Sequence, residues 1–210
     1  MKKLSFLMLC LSFSSFAFCQ GDGSSAFSSD AQWVGLSYGF FTPYKTYVSA
    51  SAGSSVAGGS GSLTIKSMGP IGLSYEKGVS DKISIGGKLI FGNVTGKENI
   101  SVYVPGATAT YKSNLKLSYF AILFRGNYHF GNSAKFDPYG GLGLGYGSFK
   151  ISADGSDGQG TNVNVSASVP SATAFTAQLG CNYYIIEKIG INAEVGLLGS
   201  FFQLGVVAKF

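Results

Sequence analysis

The sequence predicts an all-β fold, an eight-stranded antiparallel up-and-down β-barrel that crosses a membrane. Three observations predict it. Apolar residues recur at period two along most of the chain, the signature of strands with two unlike faces. Charged residues make up only 12% of the 210 residues, against ~25% in soluble domains, while glycines number 31 and aromatics reach 14%. No segment after residue 19 holds the ~18 consecutive apolar residues of a membrane helix.

The chain starts with an export signal. Met1-Lys2-Lys3 is a short basic start, and residues 4–18 are an apolar run broken by serines. Ala17 and Cys19 put small residues at the −3 and −1 positions of a cleavage site before Gln20. The expected division is a cleaved signal peptide at 1–19, a short N-terminal segment at 20–30 and a barrel at 31–210. A lipoprotein with Cys19 acylated is the alternative, and Phe18 is a poor fit to it. Removing 1–19 takes away two lysines, so the formal charge falls from +5 to +3. That mild balance implies no nucleic-acid partner. Cys10 and Cys19 lie in the signal, which leaves Cys181 without a disulfide partner, as a small hydrophobe on an apolar strand face.

Eight strands follow in order. Strand one covers 32–41, with Val34, Leu36, Tyr38 and Phe40 on one face. Strand two covers 64–77, with Ile71, Leu73 and Tyr75. Strand three covers 82–92, with Ile83, Ile85 and Leu89. Strand four covers 115–130, with Phe120, Ile122, Phe124, Tyr128 and Phe130. Strand five covers 138–150, with Leu142, Leu144 and Tyr146. Strand six covers 172–185, with Phe175, Ala177, Leu179, Tyr183 and Ile185. Strand seven covers 189–198, with Ile189, Ile191, Val195 and Leu197. The last runs from 201, with Phe202, Leu204, Val206, Ala208 and Phe210 on one face and Val207 the exception on the other.

The connections alternate. Residues 78–81, 131–136 and 186–188 are short turns. Residues 42–63, 93–114 and 151–171 are long, rich in Ser, Gly, Thr and Ala, and poor in charge. That is the outer-membrane pattern, with long loops outside the cell. Gly199-Ser200 breaks it as a tight outer turn. Within the loops, 46–62 reads as flexible and low in complexity. Residues 108–111 and 162–169 alternate small, Val and Thr residues and are expected to extend hairpins beyond the membrane. Tyr38, Phe40, Phe41, Tyr44, Tyr75, Tyr128, Phe130, Tyr139, Tyr183 and Phe210 cluster near strand ends, as interfacial girdles do.

In lipid every N–H and C=O must be paired within the protein, so strand one is expected to meet strand eight. The face opposite the apolar one is then the lumen. It carries Gly, Ser, Thr, Asn and Gln, with the charged Glu76, Lys88, Arg125 and Glu194. Gly141, Gly143, Gly145 and Gly147 relieve crowding in so narrow a ring, which side chains fill.

The terminal stretch resembles the C-terminal insertion signal of bacterial outer-membrane proteins: Gln203, then Gly205, then Ala208 and Phe210, with Ala208 the weak match. The chain from 30 to 210 resembles the small outer-membrane β-barrel family, of the OmpX and OmpA transmembrane-domain type within the porin family. The Tyr75-Glu76-Lys77-Gly78 turn entry, the Pro138-to-Gly143 strand and the Phe210 terminus carry the resemblance. It implies a bacterial outer-membrane location, outer-membrane lipid as surroundings, and insertion by the barrel-assembly machinery with periplasmic chaperones. It implies no cofactor and no single activity. No peptidoglycan-binding domain is expected beyond Phe210.

Lys88, Arg125 and Glu194 each lie six or seven residues from a short turn on the polar face, which places them near mid-membrane, with Glu76 closer to the periplasmic mouth. Pairing of Glu194 with Arg125 or Lys88 is expected, because an unpaired charge there is costly, and the cluster is expected to plug the lumen. Separate hydration of the four groups is the alternative. His129 is the single histidine, with no second histidine to share a metal, and reads as a structural imidazole. Asp154 and Asp157 read as solvated loop charges. No enzyme is expected. The function indicated is a small structural or surface-interacting barrel acting through long extracellular loops, whose ligand the sequence leaves open. A narrow porin is the alternative, and a soluble lipocalin-type barrel with its apolar face inward is a weaker third.

Overall fold

The computed structural model describes residues 25–53, 60–104, 107–156 and 162–210. The expected export signal at 1–19 with Cys10 and Cys19, residues 54–59 and Asp157 lie outside them. Eight strands form one closed antiparallel barrel, each paired with its sequence neighbours. They are β1 (Gln32–Phe40), β2 (Ser60–Gly78), β3 (Ile83–Val104), β4 (Ala107–His129), β5 (Phe136–Ser156), β6 (Asn162–Ile186), β7 (Ile189–Gly196) and β8 (Phe202–Lys209). β8 closes the ring on β1, from Trp33 opposite Lys209 to Phe40 opposite Phe202. Gln32 and Phe210 exchange both backbone hydrogen bonds, at 3.1 and 3.0 Å. Closure thus uses the C-terminal residue itself and leaves no strand edge at that level.

The period-two apolar residues point outward. Leu36, Phe124, Leu144, Leu179, Ile191 and Val206 are all exposed, an arrangement tolerable only against lipid. On β4 the outward run from Phe130 to Phe120 covers ~33 Å of strand at ~3.3 Å per residue. At a tilt of ~45° that is ~23 Å of height, close to the ~25 Å apolar band of such barrels. Cys181 lies half-buried on this face, a free thiol.

Several sequence expectations need correction. The long connections are mostly strand. β3 and β4 pair out to Val104 opposite Ala107, and β5 and β6 pair out to Ser156 opposite Asn162. Since β1, β7 and β8 hold only nine, eight and eight residues, β2 to β6 rise past them as a five-stranded wall. Ser, Thr and Asn there alternate with Val, Ile and Leu, so the strand period persists where composition suggested loop. Residues 78–81 and 187–188 remain short turns, and Gly199, at φ 83°, makes the tight outer turn that only glycine adopts cheaply.

The first long connection is not a loop throughout. Pro43–Gly53 is a helix, α1. Thr42 caps it, its hydroxyl accepting from the Tyr44 N–H at 3.4 Å, and Pro43 sits at the first helical position, where its missing N–H costs nothing. The helix drops its apolar side into the barrel mouth. Val48 is fully buried with Val94 and Leu117, and Tyr44 packs at a 43° tilt against Tyr119 with centroids 4.4 Å apart. Burial pushes the Tyr44 phenol up from its ordinary value.

The lumen is less polar than the sequence suggested. Ile90, Tyr119, Ala121, Leu123 and Ala174 form an apolar plug inside its outer half. Tyr44 and Tyr139 belong to the interior, not to the aromatic girdles. Pro70 marks a bulge in β2 between Met68 and Ile71, where the proline cannot donate to the ladder. The Gly69 N–H instead donates to the Tyr38 hydroxyl at 3.1 Å.

Candidate functional site

All eight strands send a polar side chain into one network across the lumen. Glu194 on β7 is its centre. One carboxylate oxygen accepts from Lys88 Nζ of β3 at 2.8 Å, and the other from Arg125 Nη2 of β4 at 2.6 Å and from the Tyr139 hydroxyl of β5 at 2.9 Å. Arg125 also faces Glu76 of β2 at 3.7 Å. Lys88 donates its second bond to Gln203 Oε1 of β8 at 2.8 Å, and Ser37 of β1 donates to the same oxygen at 3.1 Å. Lys88, Arg125 and Glu194 are all at least 95% buried, and two cations meet two carboxylates. The sequence-predicted four residues thus lie together. Charge pairing in this setting offsets a desolvation cost of several kcal/mol per ion.

The network continues toward the short-turn end. The Asn192 amide donates to the Tyr139 hydroxyl at 2.9 Å and to Asn182 Oδ1 at 2.7 Å. Asn182 of β6 donates to Asp137 Oδ2 at 3.0 Å, and Asp137 Oδ1 lies 2.7 Å from His129 Nδ1. His129 Nε2 is 3.0 Å from the Ser84 hydroxyl, which lies 3.2 Å from Glu76 Oε2. The chain of contacts therefore returns to Glu76 and closes on itself. Alternation explains the membership: each of these residues occupies an inward position of its strand. Sequence reading found the charges, named Gln203 only for the terminal signal and Tyr139 only for the girdle, and missed Ser84, Asp137, Asn182 and Asn192, which the same alternation places inward.

Ser84, His129 and Asp137 stand in the serine–histidine–carboxylate order of a nucleophile, a base and its orienter. Ser84 is fully buried, and Phe27 covers the imidazole with ring centroids 3.8 Å apart. Among the described residues no group of His, Cys, Asp and Glu could hold a metal ion.

Phe27 belongs to a strap, residues 25–30, that closes the short-turn mouth. Ala26 and Phe27 are buried against Trp33, Tyr184 and Val207. The Ala26 N–H donates to the Ser133 carbonyl at 2.7 Å, and Lys209 Nζ donates to the Ala26 carbonyl at 3.2 Å. Asp30, at φ 68°, then turns the strap into β1. The lumen cavity beside Glu76, Lys88, Arg125 and Glu194 measures about 30 Å³, room for little beyond a water. A second, about 120 Å³, lies beside α1 under Tyr44 and Phe149.

The C-terminal residues split by alternation. Gln203 and Gly205 face the lumen, while Ala208 and Phe210 face outward. Gln203 therefore has a structural task as acceptor for Lys88.

The chain is similar in fold to solved outer-membrane barrels. The attachment invasion locus protein Ail of Yersinia pestis is 13% identical, with 87% of this chain and 99% of that one covered at a TM-score of 0.43. The N-terminal β-barrel domain of Pseudomonas aeruginosa OprF is 14% identical, covering 88% and 100% at 0.43. OprG of the same organism is 14% identical, covering 89% and 99% at 0.40. No curated protein matches the chain. With lipid-facing side chains on a closed eight-stranded ring, and a match of residues 8–210 to the family model, the chain belongs to the outer membrane protein beta-barrel domain family.

Proposed function

We propose that this barrel is a closed structural element of the bacterial outer membrane whose interactions are made by its protruding wall, and that it is neither a pore nor an enzyme. The observation that carries the reading is the Glu194 network, to which every strand contributes and which crosses the lumen at mid-height. An apolar plug at Leu123 and Ile90 lies on one side of it and the Phe27 strap on the other. Network, plug and strap lie in series along the lumen and support a reading in which it is closed to solutes.

Export by the 1–19 signal and insertion by the barrel-assembly machinery, with periplasmic chaperones, belong to the same reading. The alternation of β8, with Leu204 and Val206 exposed to lipid and Gln203 and Val207 buried, supports it. Catalysis does not, because a substrate has no approach to Ser84 beneath Phe27. A serine-directed fluorophosphonate is expected to leave the folded protein unlabelled, and stoichiometric labelling lost in Ser84→Ala would contradict this.

Solute flux tests the closed lumen. Proteoliposomes in isotonic small sugars are expected to swell no faster than empty vesicles. Swelling that scales with protein content would replace the structural reading with a channel. The surface role is tested by attachment of cells to host-matrix proteins with residues 53–62 deleted, where reduced attachment is expected. Unchanged attachment would remove that segment from the role.

A further inference from the structure

The outer face of the protruding wall carries an unpaired band of lysines. On β3 the outward positions continue past Phe91 to Lys97. On β4 they continue past Phe120 to Lys116 and Lys112, and on β5 past Tyr146 to Lys150. Lys66 of β2 is level with Thr95, which is itself opposite Lys116. All five lysines are exposed, and none forms an ion pair among the described residues. The one carboxylate on this face, among the described residues, is Asp154, opposite Asn114. Glu98 at the same level points inward and is buried. The other outward residues of β5 and β6 here are uncharged, with Ser152 opposite Ser166 and Lys150 opposite Ser168. Five cations and one anion therefore share a face of serine, threonine and asparagine.

The height of the band identifies its partner. Lys116 and Lys150 lie four residues farther toward the protruding end than Phe120 and Tyr146, the last outward aromatics of their strands. Four residues are ~13 Å of strand and ~9 Å of height at a tilt of ~45°. A bilayer's headgroup zone extends ~5–8 Å beyond its hydrocarbon. Lysine stems lie down along apolar surface and carry their ammonium groups toward it. Lys66, Lys116 and Lys150 thus form a tier at headgroup level, and Lys97 and Lys112 form a second tier above. Two stacked tiers fit a headgroup taller than a phospholipid's.

We propose that this lysine face is a binding surface for the phosphorylated glycolipid headgroups of the outer leaflet around the barrel. The surface is continuous with the lipid-facing belt, has the opposite charge to its partner, and lies on one side of the barrel only, because β1, β7 and β8 stop short of it. It goes beyond the closed-lumen reading and does not depend on it.

The test uses the purified protein in zwitterionic phospholipid nanodiscs doped with diphosphoryl lipid A, with lipid A retained per barrel counted by native mass spectrometry. The wild type is expected to retain lipid A in a salt-dependent way. The triple variant Lys66→Gln, Lys116→Gln, Lys150→Gln should lose roughly fivefold per lysine, the effect of one cation at an anionic leaflet. The corresponding Lys→Arg triple should retain it. Lys82→Gln, Lys135→Gln, Lys188→Gln, at the short-turn end, should match the wild type. Equal retention by both glutamine triples overturns the proposal, as does equal retention of dephosphorylated lipid A. Saturable binding of soluble heparin without any preference for lipid A overturns it in favour of an extracellular polyanion. Should the glutamine triple fail to fold, wild-type retention unchanged between low and high salt is enough to overturn it.

Discussion

Phe27 lies face to face with His129, the ring centroids 3.8 Å apart and the planes 21° from parallel. A residue from outside the strand pattern thereby completes the interior. Trp33 lies beside the pair, its ring 5.1 Å from Phe27 and 6.1 Å from His129, so the three rings form one lid over the short-turn mouth.

The lid makes a direct prediction, because Trp33 is the single tryptophan of the chain. Phe27→Ala should uncover it. Acrylamide quenching of Trp33 should rise in the variant, with barrel closure retained. Quenching equal to the wild type would mean that the strap does not seal the mouth.

Glu194 holds both buried cations, so its loss leaves Arg125 with Glu76 at 3.7 Å and Lys88 with the uncharged Gln203. Glu194→Ala should destabilise the barrel by ~3–5 kcal/mol, the cost of stranding a buried charge. Urea unfolding in lipid vesicles reads this. The variant should still conduct poorly, because the Leu123 plug and the Phe27 lid remain. A stability change below ~1 kcal/mol would contradict the network's structural role.

Gly143 faces the same network. A Cβ added there would come 2.8 Å from Thr176 Cγ2 and 3.1 Å from Arg125 Cγ. Gly143→Val should therefore cost ~1–3 kcal/mol through overpacking and push Arg125 off Glu194. The equivalent change at Gly147, whose nearest neighbour would be 3.6 Å away, should cost less. Equal costs at the two positions would count against the crowding argument.

The helix in the outer mouth is docked by Val48 and Tyr44. Val48→Ala removes two buried carbons, ~1.5 kcal/mol at ~0.8 kcal/mol each. The loss should be local. Amide exchange over residues 43–53 should speed up while the strands keep their protection. Slow exchange throughout α1 in the variant would show that other contacts dock it.

Much of this architecture was legible in period two alone. Leu36, Phe124 and Val206 stand on the lipid face where alternation put them, and Lys88, Arg125 and Glu194 stand opposite. Strand length was less legible. Composition marked 93–114 as loop, because its period two alternates small polar residues with Val and Ile, and that pattern is weaker than the aromatic alternation of the lipid-facing stretches. Thr42-Pro43 was a readable helix start, masked by the serine- and glycine-rich stretch after it. Phe27 gave little warning, because one aromatic in a polar segment has no periodicity. Its partner His129 falls on the polar face by alternation, but the ring closing through Ser84 and Asp137 depends on cross-strand register, which a single chain does not display.

The closed lumen is tested most directly by planar-bilayer recording of the purified wild-type barrel at high salt. No stable current above the bare bilayer is predicted, under either polarity, from protein whose mobility on SDS gels shifts on heating. Discrete ohmic openings in proportion to inserted protein would contradict a lumen sealed by Glu194, Leu123 and Phe27.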